Sequence, residues 1–372
     1  MRNIPTKIIQ LATGLRKQLR AMPELSGHET ETAARIASFA QKQGADEIIT
    51  ELGGHSIAVV IHGNGPGKNL ILRADIDAIP TARGAAHLCG HDGHSAMLAG
   101  LIPVLVQQRP DSGNVILLFQ SSEENGQGAR ALVDDPRFVA LKPELIVGMH
   151  NLPGFHAGSI VIKEGTFAMA SHGLKVSLQG IASHAAEPEK GLNPAPALAE
   201  IVSAVDALAR QISDEDSMIT ITCLRAGEYA FGSAAGEAEL LMTLRAASDE
   251  KLNELNRKIV AIATSTAERH ALKISIVKED IFPATVNHGE CLGLVESAAG
   301  KQQLHVIKLN KAFRWSEDFG HYGSLAPSAM FGLGAGSDCP ALHSAEYEFC
   351  DRIIGYGMGM WLSLIATANG SN

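Results

Sequence analysis

The sequence predicts an α/β protein in which a small domain is inserted into a larger one. Its 372 residues exceed the length over which one hydrophobic core usually stays continuous, so we expect two domains. Strand patterns alternate with helical patterns through most of the chain, which predicts a mixed sheet covered by helices. Between residues 171 and 283 the order becomes strand, helix, strand, strand, helix, strand, the ferredoxin-like βαββαβ arrangement.

The larger domain is predicted to begin with two helices, because apolar residues recur at helical spacing over residues 8–19 and 33–40. Strands are predicted at 57–61 and 70–74. The turn-rich segment GNGPGKN separates these two runs, so we expect them to form a pair.

Further apolar strands are predicted at 115–119 and 145–149, with a helix over 93–106 before the first of them. Strands that alternate with helices in this way are typical of a sheet buried on both faces. The larger domain should therefore comprise residues 1–170 and 284–372, because mixed α/β character returns after Pro283.

The inserted domain, residues 171–283, is predicted to be complete in itself at ordinary domain size. Its predicted strands lie at 174–178, 218–224, 238–245 and 272–277, and its predicted helices at 194–210 and 250–270.

Composition excludes several classes of protein. With 31 Lys and Arg against 40 Asp and Glu, the chain lacks the cationic surplus that sequence-independent nucleic-acid binding requires. No apolar run reaches the 18 residues that would predict a membrane span. Five scattered cysteines do not form a disulfide framework, so we expect reduced thiols and a cytoplasmic protein.

The densest cluster of candidate ligands is the segment His87–His94, read HLCGHDGH, just before a predicted helix. Thiolate and imidazole donors beside carboxylates favour a transition metal over magnesium or calcium. The alternative is a polar loop in which Asp92 caps the helix and the histidines are solvated. A Cys and three His within eight residues make the metal site the favoured interpretation.

Two carboxylates, Glu123 and Glu124, follow the strand VILLF, where open α/β sheets place their sites. One could bind metal while the other acts as a base, or both could simply charge the first turn of a helix. His150 follows LIVGM, and His343 ends the segment GLGAGSDCPALH. Either histidine alone would be assigned a structural role, but together with the other clusters they would suffice for two metal ions.

Seven blocks in order along the chain resemble the aminoacylase/carboxypeptidase family of dinuclear metallopeptidases. They are LRADIDAIP, HLCGHDGH, FQSSEENGQGAR, GMHNLPG, ASHAAEP, SEDFG and ALHSAEYEF. Within that family they are similar to the amidohydrolase branch, which includes N-acyl-amino-acid, hippurate and auxin-conjugate hydrolases. The resemblance implies a metal-dependent amidohydrolase that cleaves N-acetyl, benzoyl or aryl-acyl amino acids.

The resemblance also assigns roles residue by residue. The metal ligands would be Cys89, His91, Glu124, His150 and His343. The general base would be Glu123, and His184 from the insert would stabilise the oxyanion. Two divalent ions per subunit are implied, Mn²⁺ or Zn²⁺ first and Co²⁺ or Ni²⁺ as alternatives. The insert would mediate a homodimer, and the partner molecule would be a small substrate, with no nucleic acid and no membrane.

One segment departs from the family pattern and leaves the function open in part. Where relatives carry an aromatic-Asn-Val-Ile-Pro sequence, this chain reads FGSAA over 231–235, so the usual substrate specificity need not hold. A cysteine-nucleophile amidase using Cys89, a dipeptidase or aminoacylase of another specificity, and a weakly active metal-binding homologue remain as alternatives.

Overall fold

The computed structural model describes residues 4–212 and 216–368. The chain forms two compact units, each with a hydrophobic core. Unit 1 comprises Met1–Phe167, Thr285–Phe313 and Glu317–Asn372, and unit 2 comprises Ala168–Ala284 and Arg314–Ser316. The predicted class, a mixed α/β sheet covered by helices, is confirmed.

The helices are α1 (Thr6–Arg20), α2 (Thr30–Lys42), α3 (His91–Ala99), α4 (Ile102–Gln107), α5 (Gly128–Asp134), α6 (Pro136–Val139), α7 (Ala195–Gln211), α8 (Asp249–Arg269), α9 (Gly289–Lys301) and α10 (Ile354–Ala368). None of them, within the described ranges, combines the length and apolar character needed to cross a bilayer.

The strands are β1 (Glu47–Leu52), β2 (Ser56–His62), β3 (Asn69–Asp75), β4 (Ile79–Thr81), β5 (Gly84–Ala86), β6 (Asn114–Gln120), β7 (Leu145–Pro153), β8 (Ile160–Ile162), β9 (Gly165–Ala168), β10 (Ala170–Gln179), β11 (Ser183–His184), β12 (Ser217–Ala226), β13 (Ser233–Ala234), β14 (Glu237–Ala246), β15 (Lys273–Phe282), β16 (Thr285–Asn287), β17 (Val306–Lys308) and β18 (Ser328–Gly336).

Unit 1 is built on an eight-stranded sheet in the order β1-β2-β6-β3-β7-β18-β8-β17. The central strands β6, β3, β7 and β18 run parallel to one another, whereas β1, β2 and β6 pair in antiparallel fashion. In β3 and β6 every residue after the first is buried, because helices cover both faces. Parallel strands bring their carboxyl ends to the same edge of the sheet, and the candidate site forms there.

The predicted pairing of the strands at 57–61 and 70–74 is wrong. β6 lies between β2 and β3, antiparallel to the first and parallel to the second. The connection at 63–68 therefore passes the end of β6, where Gly63 N–H donates to Gly113 O at 2.8 Å. β6 is apolar on both faces and is therefore best buried in the middle of the sheet. The turn residues between β2 and β3 carry no information about where β6 lies.

The helix predicted over 93–106 is present as two helices, α3 and α4. The break lies at Gly100 and Leu101, and Pro103, which cannot supply a backbone donor inside a continuous helix, falls in the first turn of α4.

Unit 2 has the predicted order of strands and helices, with a four-stranded antiparallel sheet ordered β12-β14-β10-β15. Alternate residues of β14 are buried, from Ala238 to Ala246. They face the apolar sides of α7 and α8, which supply residues such as Ile201 and Ile259 to the core. Short sequence patterns therefore explain this core. Buried residues alternate along the strands, and apolar residues recur at helical spacing in α7 and α8.

Candidate metal centre

The candidate site of unit 1 lies at the carboxyl ends of the parallel strands. Cys89 precedes α3 and His91 begins it, while the turn after β6 carries Glu123 and Glu124. His150 lies inside β7 and not at its end, since the strand continues to Pro153. The last candidate, His343, follows β18.

Two of the triads of potential ligand atoms that these side chains form contain Cys89. Cys89, His91 and His150 form one triad, and Cys89, Glu124 and His343 form the other. Within each triad the ligand atoms lie within 4.8 Å of one another. The triads share the Cys89 sulfur and together use all five predicted ligands. A sulfur common to both triads could contribute to each of two adjacent cation sites, and a thiolate suits transition metals.

Hydrogen bonds on the outer ring nitrogens orient two of the histidines. His91 Nδ1 lies 3.0 Å from Asp77 O and 3.1 Å from Asp77 Oδ1. His150 Nδ1 lies 2.7 Å from Asn151 O. Because a carbonyl or carboxylate oxygen only accepts, both Nδ1 atoms are donors and each Nε2 presents a lone pair in the neutral ring. Metal-binding histidines are usually held in this way.

Two buried atoms at the centre have no hydrogen-bond partner among the described residues, His91 Nε2 and Glu124 Oε1. They lie 3.7 Å apart. Leaving buried polar atoms unsatisfied costs about 1–3 kcal/mol each, so a bound cation is the natural partner for both. Thiolate, imidazole and carboxylate donors fit a transition metal.

The surrounding charge also favours a cation. Burial is the largest single influence and opposes protonation of His91, but the charges of Asp75 and Cys89, together with the hydrogen bond to Asp77, raise the pKa of the imidazole well above its usual value. A site that favours the imidazolium ion also attracts a divalent ion.

Two further potential triads are present: His91, Glu123 and Glu124, which contains the proposed base, and Asp75, His91 and His94. The second of these is less suited to metal. His94 Nδ1 lies 2.7 Å from Asp75 Oδ1 and donates to it, and His94 Nε2 accepts the Asn151 N–H at 3.0 Å. Both ring nitrogens are thereby occupied. His94 instead helps to hold Asn151 in place. Asn151 in turn fixes the backbone of Cys89, because its Nδ2 donates to Cys89 O at 2.8 Å.

Backbone conformation contributes to the site at two positions. Gly90, between two predicted ligands, has φ 98°, and a Cβ there would come 2.6 Å from Asn151 Nδ2 and Tyr347 Oη. His343 has φ 63° although it is not a glycine, and its N–H donates to Leu88 O at 2.8 Å. Such strained residues persist where the surrounding structure determines them.

The proposed base, Glu123, is 4% exposed. Burial, followed by the charges of Glu317 and Glu124, raises the pKa of its carboxyl well above the usual value. The Asp318 N–H lies 3.4 Å from Glu123 Oε1. For Glu124, burial is the main cause of a pKa raised to about 7. The alternative in which Glu123 and Glu124 lie in the first turn of a helix is wrong, because α5 begins only at Gly128.

The alternative in which Asp92 caps the helix is also wrong. The residue at the N-cap of α3 is Gly90, and no side chain caps the helix. Asp92 is fully buried, 3.5 Å from the Arg16 guanidinium, and burial raises the pKa of its carboxyl to about 6.

A buried network of ion pairs and hydrogen bonds surrounds Arg73 next to the candidate ligands. The guanidinium is 0% exposed and lies 2.7 Å from Asp75, 3.1 Å from Asp318 and 3.5 Å from Glu317. Arg73 Nε donates to Gln120 Oε1 at 2.8 Å. Glu317 Oε1 lies in turn 3.6 Å from His150 Nε2.

Cys89 does not have the surroundings of a nucleophile. Its sulfur lies 3.4 Å from His150 Nε2, a distance that suits a nucleophile and its base. However, burial raises the pKa of the Cys89 thiol and lowers the pKa of the His150 imidazole. Both shifts oppose formation of a thiolate-imidazolium pair, whereas a metal would favour the thiolate.

Unit 2 carries His184 in the short strand β11, which pairs with β13. The side chain is exposed, and its Nδ1 accepts the Ala186 N–H at 3.0 Å. The segment 231–235 enters β13, and Phe231 is 95% exposed.

Sequence reasoning assigned no role to Arg73, Asp77, Asn151 or Glu317. Each lies inside a block on which the family resemblance depended. For Arg73, Asp77 and Asn151, a charged or amide residue within or next to an apolar strand was the available signal.

Comparison with known proteins gives a consistent family. The sequence model of Peptidase family M20/M25/M40 matches residues 71–367. N-acetyl-L-cysteine deacetylase of Bacillus subtilis is 29% identical over 346 residues, covering 89% of this chain and 82% of the relative. Hippurate hydrolase of Campylobacter jejuni is 27% identical over 357 residues, covering 91% of this chain and 92% of the relative.

Solved structures share the fold. A putative aminohydrolase from methicillin-resistant Staphylococcus aureus superposes with a TM-score of 0.84 at 24% identity, covering 96% of this chain and 97% of that one. A dinuclear metal-binding peptidase of the M20 family from Bacillus subtilis gives a TM-score of 0.83 at 22% identity, covering 99% of this chain and 100% of that one.

Proposed function

The chain belongs to peptidase family M20/M25/M40 and is a metallohydrolase of amide bonds, and from that premise we propose that it hydrolyses N-acyl amino acids. The names of the relatives support this substrate class, since a deacetylase of N-acetyl-L-cysteine and a hippurate hydrolase both act on acylated amino acids. N-acetyl, benzoyl and aryl-acyl amino acids are the proposed substrates.

The observation that carries the proposal is the pair of triads that share Cys89, with a buried carboxylate beside them. We propose that Cys89, His91 and His150 hold one divalent ion and that Cys89, Glu124 and His343 hold the other. Two ions so bound would lower the pKa of a water and polarise the scissile carbonyl. Mn²⁺ and Zn²⁺ suit the donors best, with Co²⁺ and Ni²⁺ as alternatives.

Glu123 is proposed as the general base and acid. Its carboxylate takes the proton from the attacking water and returns it to the departing nitrogen of the amino acid. The raised pKa of Glu123 supports the second step. A buried carboxyl with a raised pKa keeps the proton that it took from water, and that proton is then available for the departing nitrogen.

His184 is proposed to donate a hydrogen bond to the oxyanion that develops on the carbonyl. Because Nδ1 accepts from Ala186 N–H, the proton of the neutral ring resides on Nε2, which leaves that atom as the donor. Such a donor acts mainly in the transition state.

We also propose a homodimer that forms through the edge of the unit 2 sheet. The sheet has two edge strands, β12 and β15. β15 is protected by charged residues, including Lys278 and Asp280, and Asp280 has φ 49°. β12 carries one charged residue, Arg225, in the sequence SMITITCLRA, and its Leu224 is half-exposed. An unprotected edge is suited to pairing with its own copy about a two-fold axis.

The five cysteines are all free, which supports the expected reducing, cytoplasmic location.

The function is tested by screening N-acetyl, benzoyl and indole-acetyl amino acids with the purified chain in added Mn²⁺ or Zn²⁺. We expect hydrolysis that a chelator abolishes and that the metal restores. The alternative cysteine nucleophile predicts activity that survives chelation and is lost on alkylation. Failure to hydrolyse any acylated amino acid with metal bound would overturn the proposed function and favour a weakly active metal-binding homologue.

A further inference from the structure

The loop at Glu24–Glu29, which precedes α2, contacts two segments of the candidate centre. Ser26 Oγ donates to Asp77 Oδ2 at 2.7 Å, and the backbone of Ala78 donates to Glu24 O at 2.8 Å. The same Asp77 oxygen accepts the Glu124 N–H at 2.9 Å. The loop thus contacts the carboxylate that orients His91.

Glu29 extends from this loop to the turn that carries the two site carboxylates. Its side chain is 0% exposed, and Oε1 accepts the Ser122 N–H at 2.7 Å and lies 3.4 Å from Ser122 Oγ. The other carboxylate oxygen, Oε2, is buried with no hydrogen-bond partner in the described part of the chain. An incompletely satisfied buried carboxylate is costly, so its retention calls for an explanation.

Capping of α2 does not explain Glu29. It occupies the N-cap position, where a short side chain such as Asp or Ser ordinarily accepts an N–H of its own helix, but Glu29 makes no such bond. Glu24 does so instead, accepting from Glu31 N at 3.1 Å and from Thr32 N at 2.7 Å. The Glu29 carboxylate is therefore directed away from its helix and toward Ser122.

Ser122 has an unusual backbone conformation directly before the proposed base. Its φ is 57°, in the left-handed region, which is strained for a residue that carries a Cβ. The turn closes through Gly128 N–H, which donates to Ser122 O at 2.9 Å. A short hydrogen bond from the Ser122 N–H to a buried acceptor oxygen offsets that strain.

We propose that Glu29 is a positioning residue, which accepts the Ser122 amide proton and so holds the left-handed turn that aims Glu123 and Glu124. Its effect on the reaction rests on the role proposed for Glu123. Its effect on metal binding requires only that Glu124 is a ligand. Altered partners of metal ligands typically cost about 10- to 100-fold in metal affinity or activity.

The test compares two conservative variants of Glu29 with a matched control. Glu29→Gln keeps an acceptor oxygen at the same reach, whereas Glu29→Asp keeps the charge but shortens the side chain by one methylene. Glu31→Gln removes an exposed carboxylate two residues away and is the control. Zn²⁺ affinity is measured by competition with a chromophoric chelator, and kcat and KM with any substrate that the screen identifies.

Glu29→Asp is expected to lose about 10- to 100-fold in Zn²⁺ affinity or in kcat, with KM changed much less. Glu29→Gln and the control should stay close to wild type. Adding Ser122→Gly to Glu29→Asp should restore part of the loss, because glycine adopts positive φ without a Cβ penalty.

A loss in Glu29→Gln with none in Glu29→Asp would overturn the positioning role, because it would assign the effect to the charge and not to the reach of the acceptor oxygen. Variants of Glu29 that only lower Tm, with Zn²⁺ affinity and kcat as in Glu31→Gln, would also overturn it. If no acylated amino acid is hydrolysed, the proposed function fails, but the pattern of Zn²⁺ affinities still decides the role of Glu29.

Discussion

The two units differ in what they bury. Unit 1 encloses charged side chains completely, among them Arg73, Asp75, Asp77, Asp92 and Asp318. In the described part of unit 2 no Asp, Glu, Lys or Arg is buried, and its buried polar residues are Ser171, His172 and Thr266. Its ion pairs, such as Lys175 with Glu239 at 2.8 Å, are exposed to solvent.

We interpret this difference as stability given up for the proposed function in unit 1. Burying a charge is costly unless partners surround it, and a well-packed apolar residue would often be at least as stable. The charges of unit 1 are retained at the carboxyl edge of the parallel strands, beside the candidate ligands. In unit 2 the core is apolar, and the proposed functional residue, His184, is exposed. Its removal should therefore have little effect on folding.

The largest effect is expected from Glu123→Gln in unit 1. An amide keeps the shape of the side chain but cannot accept the proton, so turnover should fall by about 100- to 10,000-fold. Metal content, measured by mass spectrometry, should stay near wild type because Glu123 is not a proposed ligand. Loss of both metals in this variant would refute the assignment of Glu123 as base.

A matched pair of substitutions measures the contrast between the units directly. Arg73→Met removes the cation from a fully buried network and should lower the free energy of unfolding by about 3–5 kcal/mol. Lys175→Met removes the cation of an exposed pair in unit 2 and should change it little. Denaturant unfolding followed by circular dichroism compares them. Similar losses in both variants would remove the distinction drawn here between the units.

His184→Ala in unit 2 should affect chemistry and leave stability unchanged. Removing one oxyanion donor typically costs about 100- to 1,000-fold in kcat. KM should change far less, because the bond is made mainly in the transition state. The metal content and the unfolding curve should match wild type, since His184 is exposed. Activity within about threefold of wild type would reduce His184 to an ordinary loop residue.

The smallest expected effect is a change of assembly without loss of the fold. Wild type should show twice the mass of one chain by light scattering at micromolar concentration. Leu224→Lys places a charge on β12 and should yield monomers, whereas Ile281→Lys on β15, at a position equally exposed at 52%, should not. A monomeric wild type would contradict the dimer, and dissociation by the β15 variant alone would assign pairing to the other edge.

Much of the site could be predicted from the sequence because its densest part is local. Cys89 and His91 are two residues apart, and Glu123 and Glu124 are adjacent. Residue type alone then indicates metal chemistry. Their convergence with His150 and His343 was predictable only through strand ends that meet at one edge, and through the family resemblance. The catalytic and ligand roles of these residues stay predictions until the variants are measured.

The partners that orient those residues were not predictable. Glu29 is 93 positions from Ser122, and Arg73 is 245 positions from Asp318. Nothing within either neighbourhood identifies its partner, because the contact depends on how the strands are ordered. The misassigned pairing of β2 with β3 has the same origin, since a turn signal is local and the insertion of β6 between the two strands is not.

By itself, then, the sequence determined the α/β class, the βαββαβ order of the second unit and the residue types of the metal centre. These follow from periodicity, turn residues and ligand chemistry within short windows. Only the tertiary structure decided the strand order, the pair of triads that share Cys89, the tautomers of His91 and His150, and the direction of the Glu29 carboxylate. Each of those depends on which buried polar atoms find partners after the chain has folded, and that is a property of long-range packing.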